Sequence, residues 1–151
     1  MQLEFLEKRI LQNKTVKQKI NIKEWLIKHE GLKVRPYYDT LGNLTIGVGR
    51  NLSGSDLESE IIFQMLDNDI ARCKYELSKF DWYKNSSDNI QACLENMCFN
   101  MGINKLLQFK NMIKALSDKN YELAAKEAID SKWTEQVKGR ATEIAEVISK
   151  G

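Results

Sequence analysis

The chain has 151 residues, of which 42% are hydrophobic, and this is enough to bury the core of one domain of ordinary size. Its 23 basic and 21 acidic residues leave a formal net charge of +2, which is too small to predict a nucleic-acid partner. Three cysteines and one histidine lack the spacing of metal ligands, so no metal site is expected and the cysteines are predicted to be reduced thiols.

The N-terminal residues have an amphipathic pattern. Residues 1–20 carry charges throughout and lack the long apolar run of a signal peptide or a membrane span. Leu3, Leu6, Ile10 and Leu11 follow helical spacing, so residues 1–20 are predicted to be a helical extension that packs on the body. We therefore expect a protein synthesised in the cytoplasm, without stable membrane insertion.

Helix signals are followed by strand signals in the next part of the chain. A helix is predicted to start at Asn21, an N-cap residue that Glu24 follows at the capping-box position. It should end at Glu30, because the next residue is Gly31 and glycine tolerates the left-handed conformation common past a helix end. Between residues 35 and 50, β-branched and aromatic residues around the turn D-T-L-G-N predict an antiparallel hairpin or a three-stranded sheet.

The rest of the chain has the signals of helices. A second capping box, at Ser55 and Glu58, predicts a long helix that runs to about residue 78. The strongly apolar segment IQACLENMCFNMG can be capped by Ser87 or Asp88 and closed by Gly102, and we expect it to form the core of the helical lobe. Shorter amphipathic helices are predicted at about 105–116, 118–130 and 138–149.

The predicted fold class is therefore α+β and mostly α-helical. A small N-terminal β-hairpin lobe at 21–54 is joined by a long connecting helix at 55–80 to a C-terminal helical lobe at 81–151. Together they are predicted to form one domain, residues 21–151. Clefts between lobes are favoured places for binding sites, so we expect the chemistry of the protein to lie there.

Two carboxylates near the predicted hairpin suit acid–base chemistry. Glu30 closes a helix beside apolar and aromatic residues, a setting that suits a general acid. Asp39 follows in the hairpin turn, where a polar environment can keep it ionised. Two carboxylates in contrasting environments are the minimal equipment for cleaving a glycosidic bond. A Glu on the surface and an Asp in a turn are also common in proteins without any catalytic role. These two positions alone therefore leave both a catalytic role and an ordinary surface position open.

A longer ordered pattern surrounds these carboxylates. H-E-G-L at 29–32 is followed by Y-x-D-T-x-G-x-x-T-I-G-x-G at 37–49. Later in the chain come N-M-x-F-x-M-G at 96–102 and S-K-W at 131–133. In order and spacing, this pattern resembles the T-even phage lysozymes, the glycoside hydrolase family 24 endolysins, over about residues 22–149.

The resemblance implies a lysozyme-like fold and gives roles to single residues. Glu30 would be the general acid that protonates the leaving glycosidic oxygen, and Asp39 the second carboxylate, which assists water or steadies the transition state. Thr45 would stand beside that water, since its hydroxyl can donate and accept hydrogen bonds. Phe99 would line the substrate cleft, although a core position in so apolar a helix is an equally open alternative. The family implies neither a metal nor an organic cofactor.

One departure from the family pattern predicts an ion pair. Where many members carry His after T-I-G-x-G, this chain has Arg50, and the usual partner of that histidine aligns with Asp69. Because arginine keeps its proton near neutral pH, we expect a permanent Arg50–Asp69 ion pair that ties the hairpin to the long helix.

The function that the resemblance implies is that of a muramidase. Such an enzyme hydrolyses the β-1,4 bond between N-acetylmuramic acid and N-acetylglucosamine, and its partner is the peptidoglycan polysaccharide. We expect a monomeric phage endolysin that lacks a signal peptide and reaches the cell wall through a holin-type pore. Two alternatives stay open: a lytic transglycosylase, against which Asp39 and Thr45 speak, and a non-catalytic wall-binding or phage-tail structural domain that keeps the fold.

Overall fold

A computed structural model of the chain describes residues 19–151, so the extension predicted at 1–20 lies almost entirely outside the described residues. The first described helix, α1, spans Ile22–Glu30. Its N-cap is Asn21, whose side-chain oxygen accepts hydrogen bonds from the backbone N–H groups of Lys23 and Glu24. The helix ends at Gly31, which has a φ of 77°. Both predicted ends of this helix are confirmed.

Three short antiparallel strands follow α1 and form one sheet in the order β1–β2–β3. Tyr37 on β1 lies opposite Thr45 on β2, and Thr45 lies opposite Asn51 on β3. These three side chains therefore share one face of the sheet. The structure confirms the predicted small antiparallel sheet, whose strands span Lys33–Tyr38, Leu44–Gly47 and Arg50–Asn51.

The chain divides into two compact units, one ending at Leu57 and one running from Glu58 to Gly151. The second unit opens with α2, Ser59–Leu77. The helix start predicted at Ser55 is therefore wrong. The reason is local, since the Ser55 hydroxyl donates to the backbone carbonyl of Asn51 at 2.7 Å and holds the loop after β3 instead of capping a helix.

The other helices of the second unit surround a buried apolar core. They are α3 (Asp81–Lys84), α4 (Asp88–Met101), α5 (Ile103–Leu106), α6 (Lys110–Ser117), α7 (Tyr121–Ile129), α8 (Lys132–Val137) and α9 (Gly139–Ser149). The Ser87 hydroxyl caps α4 by accepting a hydrogen bond from the Ile90 N–H, as predicted. Leu94 and Met97 on this helix are completely buried, which confirms α4 as a core element.

One helix prediction in this unit is wrong in detail, and one helix of the unit was not predicted. The helix predicted at 105–116 is interrupted after Leu106, because the Phe109 N–H donates to the Leu106 carbonyl in a turn before α6. The short helix α8 was not predicted. It buries Trp133, whose ring packs edge-on against Phe109 and whose indole N–H donates to Asn100 Oδ1 at 2.8 Å.

Other features of the described chain agree with the composition. Cys73, Cys93 and Cys98 are free and buried, which confirms their prediction as reduced thiols. Within residues 19–151, no helix combines the length and the apolar character that crossing a membrane requires. The observed combination of a small N-terminal sheet and a predominantly helical remainder confirms the predicted α+β class.

Candidate active site

Glu30 is the last residue of α1, and its side chain is exposed to solvent. Its carboxylate lies against the backbone of Gly49, in the turn between β2 and β3. A methyl group at Gly49 would stand 3.6 Å from Glu30 Oε2 and 3.9 Å from its carboxyl carbon. Gly49 has a φ of 76°, which glycine adopts without strain. The end of α1 and this turn therefore place Glu30 beside the sheet of its own unit.

The loop between β1 and β2 is built around the carboxylate of Asp39. Oδ1 accepts hydrogen bonds from the backbone N–H groups of Leu41 at 2.9 Å and Asn43 at 2.8 Å. Oδ2 accepts one from the side-chain amide of Asn43 at 3.1 Å. The hydrogen bonds from Asn43 are the main cause that holds the pKa of Asp39 below its ordinary value of 3.8, while desolvation opposes them. The Asp39 side chain is therefore ionised at neutral pH.

Thr45 is buried in the sheet, with 3% of its surface exposed. Its hydroxyl donates to the backbone carbonyl of Asn43 at 3.0 Å. A carbonyl oxygen can only accept, so the Thr45 proton is used in this bond and the lone pairs of Oγ1 remain as acceptors. Asp39 directly follows the end of β1, and Thr45 lies on β2 opposite Tyr37, so the same hairpin carries both residues.

Asn43 and Asn51 are two residues of this unit whose contacts were not predicted from the sequence. Asn43 contacts Asp39 through its amide and Thr45 through its carbonyl. Asn51 uses its side-chain oxygen to accept hydrogen bonds from the N–H groups of Ser53 at 2.7 Å and Gly54 at 3.1 Å. The signal for Asn43 was present in D-T-L-G-N, since Asp and Asn side chains bond to nearby backbone groups in turns.

Arg50 and Asp69 lie in different compact units, and the ion pair predicted between them stays a prediction. The Arg50 guanidinium donates to the backbone carbonyl of Asp56 at 2.9 Å. Asp69 binds Arg72 one turn further along α2, with 2.7 Å between carboxylate and guanidinium. Because the Asp69–Arg72 pair is exposed to solvent, it contributes little to the free energy of unfolding.

Phe99 lies on the outer side of α4, with 48% of its surface exposed, so the alternative of a core position is wrong. Its ring lines a groove of about 310 Å³ together with Leu66, Ile70 and Arg140. An exposed aromatic ring beside apolar side chains is a surface against which a sugar ring can pack. The assignment of Phe99 to substrate binding stays a prediction.

The chain is similar to known proteins of one family. The family model described as Phage lysozyme matches residues 27–146. The chain is 31% identical to "Probable T4-type lysozyme 1" and 29% identical to "Probable T4-type lysozyme 2", both of Dictyostelium discoideum, over 87% of this chain and 95% of each relative.

A further relative is named as a spike protein of a phage and not as a lysozyme. The chain is 27% identical to "Pre-baseplate central spike protein Gp5" of Enterobacteria phage T4 over 87% of this chain, and it spans 28% of that protein's length. The family match covers most of the chain and both candidate carboxylates, Glu30 and Asp39. The chain therefore belongs to the phage lysozyme family, and its function is lysozyme-like, with peptidoglycan as the class of substrate.

Proposed function

We propose that the protein is a muramidase that hydrolyses the β-1,4 bond between N-acetylmuramic acid and N-acetylglucosamine with inversion at the anomeric carbon. The observation that supports this most strongly is that one compact unit carries both carboxylates, in different surroundings. Glu30 is exposed beside Gly49, and Asp39 is held ionised by its own loop. An inverting glycosidase needs one carboxylic acid to donate a proton and one carboxylate to activate water.

In the proposed mechanism, Glu30 donates its proton to the glycosidic oxygen as the bond from that oxygen to the anomeric carbon breaks. Positive charge develops on the sugar, and a water molecule attacks the anomeric carbon from the opposite face. Asp39 accepts a proton from this water, so the product is a reducing sugar of inverted configuration. Solvent then restores the proton on Glu30 and removes the proton from Asp39.

The hydrogen bonds of the loop support Oδ2 of Asp39 as the oxygen that serves as the proposed base. From the described chain, Oδ1 accepts two N–H bonds and Oδ2 accepts one. A carboxylate oxygen has two lone pairs, so Oδ2 has a site left for water. Thr45 Oγ1 donates to the Asn43 carbonyl, so its lone pairs remain as acceptors, as its proposed role requires.

The test uses clearing of purified peptidoglycan by the wild type, Glu30→Gln and Asp39→Asn. Each substitution removes the proton donor or acceptor with little change in shape, and we expect a loss of roughly 10²-fold or more in each. The matched controls are Glu24→Gln, an exposed carboxylate on the same helix, and Asp56→Asn, in the loop of the same unit. Both controls should keep wild-type rates. Equal losses in the controls would contradict the assigned roles.

The products separate hydrolysis from the transglycosylase alternative. Hydrolysis leaves a reducing N-acetylmuramic acid end, whereas a transglycosylase closes an anhydro ring and admits no water. Mass spectrometry therefore distinguishes the two by the mass of one water. NMR of fresh product, before its anomers equilibrate, then tests whether the configuration inverts.

The similarity to the central spike protein favours one second candidate, a lysozyme domain that contacts the wall as part of a phage particle. The role that we propose for the muramidase is instead that of a free endolysin, which is released to the cell wall through a holin-type pore. Catalysis separates the enzyme from a non-catalytic structural domain. A structural domain would bind peptidoglycan without clearing it, and Glu30→Gln would leave its function unchanged.

A further inference from the structure

We propose that Asn43 is a positioning residue that holds the base Asp39 and the water-binding Thr45 in their working orientation. This inference rests on the proposed muramidase activity. It concerns a residue that is not among the acid, the base and the threonine assigned above. Three hydrogen bonds of the described chain carry it.

The first step is that Asn43 contacts the Asp39 carboxylate at both oxygens. Its backbone N–H donates to Oδ1 at 2.8 Å, and its side-chain amide donates to Oδ2 at 3.1 Å. A two-point contact fixes the rotation of the carboxylate about its last torsion, which is otherwise broad. The plane of the carboxylate, and with it the direction of the remaining Oδ2 lone pair, is therefore set by Asn43.

The second step is that the same residue holds Thr45. The Asn43 carbonyl accepts the Thr45 hydroxyl at 3.0 Å, which turns the lone pairs of Oγ1 away from that carbonyl. Thus one residue sets the acceptor direction of both groups that are proposed to bind the attacking water. Small displacements of such groups cost large factors in rate, because the reacting atoms must be aligned.

The third step is that Asn43 also lowers the pKa of Asp39. Hydrogen bonds to the ionised form favour it, and the largest comes from the Asn43 backbone N–H, followed by the Asn43 side-chain amide. The remaining contributions come from the backbone of Leu41 and Gly42 and from an opposing desolvation. The charged or titratable side chains on the flanking strands are Lys33, Arg35, Tyr37, Tyr38 and Arg50. The Asn43 side chain is a neutral amide, so it stabilises the ionised form of Asp39 without titrating itself.

The experiment measures the pH dependence of peptidoglycan clearing for the wild type, Asn43→Ala and Asn43→Asp. Alanine removes the side-chain donor and keeps both backbone groups, so the acid limb of the profile should move to higher pH. We also expect the maximal rate to fall by about 3- to 10-fold. Aspartate places a second negative charge beside Asp39, so the acid limb should move to higher pH by more than in Asn43→Ala. The alkaline limb of the profile should stay in place.

The matched control is Ser53→Ala. The Ser53 hydroxyl accepts a hydrogen bond from the Leu44 N–H at 3.1 Å, so this variant weakens the same hairpin without touching Asp39. A general loss of hairpin stability would lower the rate in Ser53→Ala as well, and would leave the acid limb in place. An upward shift in the Asn43 variants alone supports the positioning role.

A second measurement does not depend on activity. NMR titration of the Asp39 carboxyl carbon in the free protein should show a higher pKa in Asn43→Ala than in the wild type. If wild type clears the wall but Asn43→Ala titrates and reacts like wild type, the inference is wrong while the muramidase proposal stands. If wild type clears no peptidoglycan at any pH, the muramidase proposal is wrong and the positioning role falls with it.

Discussion

The carboxylate of Glu30 lies against the backbone of Gly49, close enough that a methyl group on Gly49 would stand 3.6 Å from Oε2. A contact of 3.6 Å is ordinary, so space alone would admit alanine. The φ of 76° is the constraint, because an L-residue with a Cβ is strained there. Gly49 thus allows the turn between β2 and β3 to form directly beside the candidate acid.

Gly49→Ala is therefore expected to lower both stability and activity. The strain of a positive φ should reduce the free energy of unfolding by about 1–2 kcal/mol, measured by urea denaturation. Gly54→Ala is the matched control, since a methyl there also meets a side-chain atom at 3.6 Å, on Asn51, and Gly54 has no positive φ. An equally large loss in Gly54→Ala would contradict this explanation.

The lowered pKa of Asp39 predicts how stability depends on pH. Because the folded-state pKa lies below 3.8, ionised Asp39 stabilises the fold above pH 3.8, and this contribution is lost as the pH falls through the folded-state value. Asp39→Asn should therefore be less stable than wild type near neutral pH. The difference should shrink at a pH of about 2, as followed by urea unfolding across the acid range. A difference independent of pH would show that the charge of Asp39 is not its cause.

The hydroxyl of Tyr83 donates to Glu95 Oε1 at 2.6 Å inside the helical unit. Burial, followed by the neighbouring Glu95, raises the pKa of Tyr83 well above its ordinary value of 10. Tyr83→Phe removes the donor, and Glu95 keeps a distant Lys74 ammonium at 3.9 Å. The free energy of unfolding should fall by about 1–3 kcal/mol, because a charged acceptor loses its close donor. Tyr75→Phe, on the exposed side of α2, should change it little.

The thiols of the helical unit should be unreactive in the folded protein. Burial, together with Cys73 and Glu76, raises the pKa of Cys98 to about 12, and burial also raises the pKa of Cys93. A soluble disulfide reagent at about pH 8 should therefore label the native protein slowly and the urea-unfolded protein fully. Fast labelling of native Cys98 would show that its thiolate is accessible.

The raised pKa of Cys98 also predicts a loss of stability at alkaline pH. Below pH 9 the thiol is protonated in both states, so its contribution is constant. Between pH 9 and about 12 the unfolded chain releases this proton and the folded chain retains it, so stability should fall. Urea unfolding of Cys98→Ala over this range is the check, because the variant should lose less stability per pH unit than wild type.

The helix ends are the part of the fold that local sequence predicts best. Asn21 and Ser87 cap their helices with their own side chains, and Gly31 and Gly102 end them with positive φ. These interactions span a few residues, so they can be inferred without knowledge of the rest of the molecule. Ser55 shows the limit of this inference, because its hydroxyl bonds to Asn51 and the helix starts only at Ser59.

The sequence predicts which residues form the candidate site, but it does not predict the hydrogen bonds between them. Glu30, Asp39 and Thr45 follow from an ordered motif in the sequence. That the side chain of Asn43 holds Asp39 while its carbonyl holds Thr45 depends on the path of the loop in three dimensions. Phe99 illustrates the same limit, because an apolar helix does not reveal from its composition which face will be covered.

The sequence by itself determined the fold class, the helix caps and the residue types that acid–base chemistry needs, because hydrogen bonds at caps and the spacing of a motif are local. Tertiary structure alone decided that Glu30 lies against Gly49, that Trp133 is buried and that Phe99 is exposed. These outcomes depend on which surfaces meet after the chain has folded, and residues distant in sequence then compete for the same partners.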